Sequence, residues 1–130
     1  MNKIDKTEQE WRAQLDEETF RVTRQHGTEY PGTGQYLYHK EEGGYACICC
    51  DQLLFASEQK FDSHCGWPSF DDCIEGTVLY REDASHGMVR TEILCARCDA
   101  HLGHVFDDGP TQTGKRFCVN SLSLSFHPKK

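Results

Sequence analysis

Residues 47–50 read Cys-Ile-Cys-Cys and residues 95–98 read Cys-Ala-Arg-Cys, with 44 residues (51–94) between these two cysteine pairs. Two C-x-x-C pairs supply four thiolates, the donor set that structural zinc binds in tetrahedral geometry. The predicted ligands of one zinc ion are Cys47, Cys50, Cys95 and Cys98. Because the intervening segment is longer than in a compact zinc ribbon, we expect the metal to clamp two hairpins that are distant in the sequence.

Three other uses of these residues stay open. Cys49 lies inside the first pair and competes with its neighbours as a ligand. A mixed site is the second alternative, because cysteines and histidines recur at every third position: Cys95, Cys98, His101 and His104. A redox-active C-x-x-C pair is the third, although redox motifs seldom occur as two matched pairs.

Length and charge limit the class of protein. A chain of 130 residues predicts a single domain, 1–130, with a modest core that a metal would help to stabilise. The 21 acidic and 14 basic residues give a formal charge of -7, which disfavours a nucleic-acid partner. No apolar run approaches the roughly 20 residues that cross a membrane.

The expected compartment is the reducing cytoplasm. The first residues lack the apolar segment of a signal peptide. In a reducing compartment, eight cysteines are better explained as metal ligands and redox thiols than as a disulfide framework. We expect the protein to act as a monomer.

The N-terminal segment, residues 1–26, is predicted to be helical. Residues 7–10, Thr-Glu-Gln-Glu, have the form of a capping box. A second short helix is predicted to begin at Asp16, with acidic residues favourable in its first turn and Phe20 facing the core. Gly27 is predicted to end it.

The remainder, residues 27–130, is predicted to be a zinc-containing β domain, so the fold class is mainly β. Short apolar and aromatic runs alternate there with Gly, Pro and Asp. The predicted strands are Gly44–Ile48, Thr77–Arg81, Met88–Cys95, His104–Phe106, Arg116–Asn120 and Ser121–Phe126.

The last two predicted strands are out of phase. Apolar residues fall at odd positions in 117–119 and at even positions in 122–126. Because strand side chains alternate between faces, the buried face can change there only through a bulge or a break near Asn120. The side chains expected together on the face away from the core, with the thiol exposed, are Arg116, Cys118 and Asn120.

Two of the thiols outside the zinc site depart from the default of a small buried apolar residue. Cys118 shares its face with Arg116, which would stabilise a thiolate and lower the thiol pKa. Cys65 lies in an irregular loop marked by Gly66 and Pro68. The thiols that remain after the zinc ligands are Cys49, Cys65, Cys73 and Cys118.

The aromatic and imidazole side chains leave alternatives. Composition favours the core for Trp67, with an exposed wall for an apolar ligand as the alternative. His101 and His104 would point to opposite faces of a plain strand, but Gly103 would permit a bulge that brings them together. A structural and a catalytic role stay open for both. The histidines predicted to be structural or on the surface are His26, His39, His86 and His127.

Five stretches are distinctive in combination with the cysteine pairs. They are Cys-Gly-Trp-Pro-Ser-Phe at 65–70, Ser-His-Gly-Met at 85–88, His-Leu-Gly-His-Val-Phe at 101–106, Asp-Gly-Pro at 108–110 and Arg-Phe-Cys-Val-Asn-Ser at 116–121. From about Asp16 to Phe126 the chain closely resembles the methionine-R-sulfoxide reductase B family. The resemblance implies two antiparallel sheets with zinc at one end, and reduction of the R epimer of methionine sulfoxide in oxidised proteins, a repair reaction.

The resemblance also implies roles for single residues. Cys118 takes the position of the catalytic nucleophile and Cys65 that of the resolving cysteine, whose disulfide with Cys118 thioredoxin reduces. Trp67 matches the residue that packs on the methyl group of the sulfoxide. The residues that match the polar shell of the substrate pocket are His101, His104, Asp108, Arg116 and Asn120. Of the two histidines, we favour His104 as the acid.

Some residues depart from the family pattern, and two other functions stay open. His64 stands where many members have glycine, and Cys49 and Cys73 are additional thiols. Cys73 follows Cys65 closely enough to compete for the resolving role. The second function is a zinc-clamped β domain that binds a protein partner, with Cys118 inert. The third is a zinc-ribbon nucleic-acid binder, which the acidic charge disfavours.

Overall fold

The protein folds as two antiparallel β-sheets preceded by two short helices. The computed structural model describes residues 3–129, with the backbone alone for His86, so residues 1, 2 and 130 of the predicted domain lie outside it. One sheet has the strand order β2-β1-β9, and the other β3-β4-β8-β7-β6-β5. The predicted mainly β fold with two antiparallel sheets and short N-terminal helices is confirmed.

The bounds of the elements follow from the backbone hydrogen bonds. The helices are α1 (Glu8–Gln14) and α2 (Glu17–Arg24). The strands are β1 (Gly43–Cys47), β2 (Leu53–Ala56), β3 (Lys60–Phe61), β4 (Ser69–Phe70), β5 (Val78–Asp83), β6 (Arg90–Cys95), β7 (His101–Phe106), β8 (Arg116–Val119) and β9 (Leu124–Pro128). Single 3-10 turns lie at Ser57–Gln59, Ser85–Gly87 and Ser121–Ser123. Within residues 3–129, neither helix has the length and apolar character needed to span a membrane.

Side-chain caps begin both helices. At α1 the Glu10 amide donates to the Thr7 hydroxyl while the Glu10 carboxylate accepts from the Thr7 amide, which is the predicted capping box. The Asp16 carboxylate caps α2 as predicted. The prediction that α2 ends at Gly27 is wrong, because the helix ends at Arg24 and the following residue has already left helical geometry with φ of -112°.

The helices pack against the turns that carry the cysteine pairs. The Gln14 side-chain amide donates to the Cys49 carbonyl at 2.8 Å, and the Arg24 guanidinium donates to the Cys98 carbonyl at 2.7 Å. Arg24 also lies over the ring of the buried Trp11, 4.3 Å from its centroid. The helical segment therefore braces both cysteine turns at the same end of the molecule.

An aromatic core joins the two sheets. Tyr45 of β1 and Phe55 of β2 come from the first sheet, and Phe70 of β4 and Phe117 of β8 come from the second. All four are buried, and the rings of Phe55 and Phe70 stack with centroids 4.3 Å apart. This stacking packs β4 against the core, and the buried ring of Phe117 packs β8 there as well. The site residues carried by these two strands are therefore held in fixed positions.

Three strands were not predicted. β3 and β4 have two residues each, too short to show an alternating pattern, and β2 is apolar without alternation. β4 matters for the site, because Ser69 pairs with Cys118 and so anchors the end of the 65–70 segment to β8. The predicted strand at His104 begins earlier, at His101.

The predicted break after β8 is present. β8 ends at Val119, and the 3-10 turn Ser121–Ser123 separates it from β9. Phe117 and Val119 are buried, whereas Cys118 is half-buried, so the prediction of an exposed thiol is wrong. The phase change of the apolar pattern therefore marks a change of sheet, since β8 belongs to the second sheet and β9 to the first.

Candidate active site and metal centre

Each cysteine pair lies in a tight turn of the same design. The Asp51 amide donates to the Cys47 carbonyl, and the Asp99 amide donates to the Cys95 carbonyl, both at 2.8 Å. Asp51 and Asp99 have φ of 65° and 64°, a region that Asp tolerates better than most residues. The two turns have the same geometry, and their four thiols lie together.

The four predicted ligands form one cluster, the four-cysteine cluster. Their sulfurs all lie within 4.8 Å of one another. The Sγ atoms of Cys47 and Cys98 are 3.6 Å apart, and those of Cys50 and Cys95 are 3.5 Å apart. Sulfurs about 2.3 Å from a tetrahedral zinc are separated by roughly 3.8 Å. The cluster is therefore close enough to hold a metal ion, and its donor set suits zinc.

The alternative ligand sets fail on geometry. Cys49 is buried but does not belong to the four-cysteine cluster. His101 and His104 turn toward the carboxylates of Glu92 and Asp83 instead of toward the cysteines. The mixed cysteine and histidine site is therefore wrong.

A second pair of thiols lies on the other side of the second sheet from the core. The Sγ atoms of Cys65 and Cys118 are 3.0 Å apart. The hydrogen bond from Cys118 lowers the pKa of Cys65 to about 4, and the same contact together with burial raises the pKa of Cys118. The pair therefore carries one proton and one negative charge near neutral pH.

Arg116 supplies the positive charge beside this pair. Its Nη1 donates to Cys118 Sγ at 2.8 Å. The other side of the guanidinium donates twice to the Asp108 carboxylate, at 2.7 and 3.0 Å, and the group lies 4.5 Å from the centroid of the Phe106 ring. Asp108 and Phe106 thus hold the cation in place, because a bidentate carboxylate and an aromatic face fix its orientation.

A cavity of about 290 Å³ opens over the two thiols. Its walls include an aromatic side, a polar side and the sulfurs. The lining residues are Thr28, Cys65, Trp67, Arg90, Gly103, His104, Phe106, Arg116, Cys118 and Asn120. Six of the predicted site residues are therefore brought together, whereas Asp108 and His101 stand behind the lining.

Trp67 forms part of the wall of this cavity. Its side chain is half-buried, and the indole N–H donates to the Glu29 carbonyl at 3.1 Å. The composition-based expectation of a core position is wrong, because the ring lines the cavity over the two thiols. Gly66 precedes it with φ of 96°, a left-handed conformation that glycine adopts without strain. A fixed indole face beside a thiol is suited to an apolar group such as a methyl.

Asn120 lines the cavity beside the thiol and is deeply buried. The sequence predicts only that it shares a face with Cys118 away from the core, and its exposed fraction is 3%. The side-chain oxygen accepts from the Glu29 amide at 2.9 Å, and the side-chain nitrogen donates to the Leu102 carbonyl at 3.1 Å. The side-chain amide of Asn120 thus connects its own segment to those of Glu29 and Leu102 at the floor of the cavity.

The two site histidines converge through the predicted bulge. The pairing of β6 with β7 shifts between Ile93 and Leu94, which leaves one extra residue on β7. As a result the rings of His101 and His104 lie edge to face with centroids 5.6 Å apart. Gly103 is required between them, because a Cβ atom there would lie 1.9 Å from the Cys118 carbonyl oxygen.

Carboxylates behind the histidines were missed by the sequence analysis. Glu92, 4% exposed, accepts from Nδ1 of His101 and from Nδ1 of His26, both at 2.6 Å. Asp83 Oδ2 lies 2.8 Å from His104 Nε2. The available signal was a charged residue inside the apolar run of β6. His26, predicted to be structural or on the surface, is exposed and shares Glu92 with His101.

The group of His26, Glu92 and His101 is an ion-pair network and not a cation site. Their donor atoms lie within 4.8 Å of one another. However, Arg81 donates to Glu92 Oε1 at 2.6 Å, and its Nη2 lies 3.4 Å from His26 Nδ1. A fixed guanidinium at that distance opposes a second cation. Burial lowers the pKa of His101 to about 4, so its imidazole is neutral at physiological pH.

Cys73, the competing thiol, lies elsewhere. Its sulfur contacts the Tyr80 hydroxyl at 3.7 Å, and burial raises the pKa of the thiol. Cys65 is the thiol that contacts Cys118. The geometry therefore favours Cys65 over Cys73 as the partner of Cys118.

Comparison with known proteins matches most of the chain to one family of sequences. The SelR domain matches residues 15–128. "Peptide methionine sulfoxide reductase MsrB" of Hahella chejuensis is 60% identical over 128 residues, covering 98% of this chain and 92% of the relative. The protein of the same name from Pseudomonas putida strain W619 is 58% identical over 130 residues, covering 99% and 98%.

A solved structure with a different name shares the architecture. The Mis18 "Yippee-like" domain superposes with a TM-score of 0.56 at 19% identity, covering 69% of this chain and 99% of that domain. At this identity the likeness concerns the fold alone.

Proposed function

This chain belongs to the methionine-R-sulfoxide reductase B family, whose members carry the SelR domain, and from that premise we propose that it reduces the R epimer of protein-bound methionine sulfoxide to methionine. The observation that carries the proposal is the thiol of Cys118 at the floor of a cavity, 2.8 Å from the Arg116 guanidinium and 3.0 Å from Cys65. Sulfoxide reduction requires a thiolate, an apolar wall for the methyl group and an acid near the oxygen, and the second thiol serves recycling.

In the first step the negative charge of the thiol pair lies on Cys118. The proton passes across the 3.0 Å contact to Cys65, and Arg116 stabilises the thiolate that remains. Trp67 holds the methyl group of the substrate, so the sulfoxide sulfur faces Cys118. The asymmetric placement of wall and cation is the proposed basis of selection between the epimers.

The thiolate attacks the sulfoxide sulfur while the oxygen gains a proton. His104, which lines the cavity, is the proposed acid. The oxygen is transferred to Cys118 as a sulfenic acid, and methionine leaves, so the sulfoxide is reduced by two electrons and the thiol is oxidised by two. His101 and Asn120 stand behind His104 and the thiol and hold the floor of the cavity.

Recycling uses the neighbouring thiol. The Cys65 thiol displaces water from the Cys118 sulfenic acid and forms a disulfide. A dithiol donor of the thioredoxin type then reduces that disulfide. The proposal includes a cytoplasmic location, a reducing compartment in which such a donor works. It also includes a monomeric state.

Zinc in the four-cysteine cluster has a structural role in this proposal. The ligands would be Cys47, Cys50, Cys95 and Cys98, all thiolates, which leaves no open position for a substrate. The ion would clamp the turn after β1 to the turn after β6, and so fix the sheet that carries β7 and β8.

The proposal is tested with separated epimers of a methionine-sulfoxide peptide and dithiothreitol as reductant. We expect single-turnover reduction of the R epimer and essentially none of the S epimer, because the wall and the cation accept one arrangement of methyl and oxygen around sulfur. Peptide methionine is measured by chromatography. Equal rates on the two epimers, or reduction of S alone, would contradict the proposal.

Replacing Cys65 with serine is expected to separate chemistry from recycling. Cys65→Ser should keep the first turnover with the R epimer, because the contact that most raises the pKa of Cys118 is lost while Arg116 still favours its thiolate. It should lose multiple turnovers with thioredoxin by roughly tenfold or more. Cys73→Ser is the matched control and should cycle normally. Full thioredoxin-supported cycling in Cys65→Ser would move the resolving role to another thiol.

A further inference from the structure

Strands β5 and β6 carry two pairs of opposite charge on one face; the arginine is on β5 in one pair and on β6 in the other. In the register of the hairpin, Arg81 stands opposite Glu92 and Asp83 stands opposite Arg90. The side chains of both pairs meet, with Arg81 Nη2 to Glu92 Oε1 at 2.6 Å and Arg90 Nη2 to Asp83 Oδ2 at 3.3 Å. Cross-strand pairs of opposite charge stabilise a sheet modestly, so this arrangement alone needs no function.

Each carboxylate continues to one of the two site histidines on β7. Glu92 Oε2 lies 2.6 Å from His101 Nδ1, and Asp83 Oδ2 lies 2.8 Å from His104 Nε2. The result is two parallel chains of arginine, carboxylate and histidine. The proposed reaction uses the histidines but gives the carboxylates no part.

The oxygens of Asp83 are held on both sides. Oδ1 accepts from the Ser85 amide at 3.0 Å, and Oδ2 takes the contacts to His104 and Arg90. Ser85 begins the 3-10 turn that joins the two strands, and Gly87 closes it with φ of 71°. The turn that contains the 85–88 motif thus holds the Asp83 carboxylate in place. This explains a structural role for a motif that takes no direct part in the proposed reaction.

A fixed carboxylate decides which nitrogen of a histidine carries the proton. Hydrogen bonds from His104 and Ser85 hold the pKa of Asp83 far below its usual range, so the group only accepts hydrogen bonds. His104 must therefore donate from Nε2, and Nδ1 is the nitrogen without a hydrogen-bond partner in the described part of the chain. In His101 the donor is Nδ1, and the buried Nε2 has no partner there.

We propose that Asp83 and Glu92 are positioning residues that fix the ring orientation and tautomer of His104 and His101. Nε2 of His104 keeps its proton in the hydrogen bond to Asp83, so Nδ1 is the nitrogen that takes up a proton and, as imidazolium, gives it to the sulfoxide oxygen. Asp83 is the more direct of the two, because His104 lines the cavity and His101 does not. Glu92 and Cys118 stand opposite His104 on the two neighbouring strands. Its ring also contacts Asp83 and His101, with Arg90 beyond Asp83. The kinetic part of this inference rests on the proposed function, whereas the tautomer does not.

The test is Asp83→Asn, with Glu82→Gln as the matched control. Glu82 is the adjacent carboxylate of β5, is exposed and points to the opposite face, so its loss leaves His104 untouched. Histidine nitrogen chemical shifts, measured at a pH where the ring is neutral, should place the single proton of His104 on Nε2 in the unaltered protein and in Glu82→Gln. In Asp83→Asn we expect a mixture of tautomers, because an amide can donate as well as accept.

The kinetic arm uses the single-turnover rate with the R epimer. Loss of a partner behind a functional histidine typically lowers activity roughly 10- to 100-fold. We expect a fall of that size in Asp83→Asn with KM nearly unchanged, no change in Glu82→Gln, and partial recovery in Asp83→Glu.

The outcomes are distinct. A neutral His104 imidazole with its single proton on Nδ1 in the unaltered protein overturns the inference even if Asp83→Asn does not fold. An unchanged tautomer and rate in a folded Asp83→Asn overturn it as well. Failure of the unaltered protein to reduce the R epimer would instead remove the proposed function and leave the tautomer measurement to decide the positioning role.

Discussion

Replacing Cys118 with serine is expected to lower the single-turnover rate on the R epimer by at least 10⁴-fold, on the order of losses seen when a nucleophile is removed. Serine has the same shape, but its hydroxyl ionises far less readily than a thiol, and Arg116 at 2.8 Å cannot compensate for that difference. Oxygen transfer also needs a sulfur that can be oxidised to a sulfenic acid.

The control is Cys73→Ser, which removes a half-buried thiol that contacts Tyr80 instead of Cys118. It should keep the rate of the unaltered protein. Thermal melting of both variants checks that they are folded. A folded Cys118→Ser protein with a rate like that of Cys73→Ser would exclude Cys118 as the nucleophile.

Removal of metal is expected to unfold the domain. Binding of structural zinc to four thiolates contributes about 10–16 kcal/mol in small zinc domains, as much as the whole stability of a typical domain. The four-cysteine cluster joins the turns after β1 and β6, and both helices donate hydrogen bonds to those turns. Chelation at neutral pH should therefore remove the cooperative melting transition, as followed by circular dichroism.

A pair of cysteine variants distinguishes the cluster from its buried neighbour. Cys50→Ser removes one sulfur of the cluster and should not bind the one equivalent of zinc expected for the unaltered protein. Cys49→Ser removes a thiol that is 5% exposed but outside the cluster, and should keep the zinc. Metal content is measured by elemental analysis. An unchanged melting curve after complete chelation would contradict a structural metal.

Much of the architecture could be predicted because it depends on local signals. The spacing within each cysteine pair led to the four-cysteine cluster, and the capping box at Thr7 led to α1. The phase change near Asn120 located the break between β8 and β9. Such signals lie within a few residues, so a single sequence contains them.

The remaining features depend on contacts between distant segments. β4 has only two residues, and its effect comes from pairing Ser69 with Cys118. Glu92 is buried because His26, Arg81 and His101 surround it. A charged residue is normally exposed, and only the fold reveals the partners that make its burial favourable. The deep burial of Asn120 was missed for the same reason.

The central claim is that the Cys118 thiolate takes the oxygen from the sulfoxide, and one measurement tests it most directly. Cys65→Ser protein is mixed with one equivalent of the R-epimer peptide, without reductant, and a sulfenic-acid trap is added before peptide mapping by mass spectrometry. We expect the trapped adduct on Cys118 in the same amount as the methionine formed, and none with the S epimer. Methionine formed without an adduct on Cys118, or an adduct confined to another cysteine, would contradict the claim.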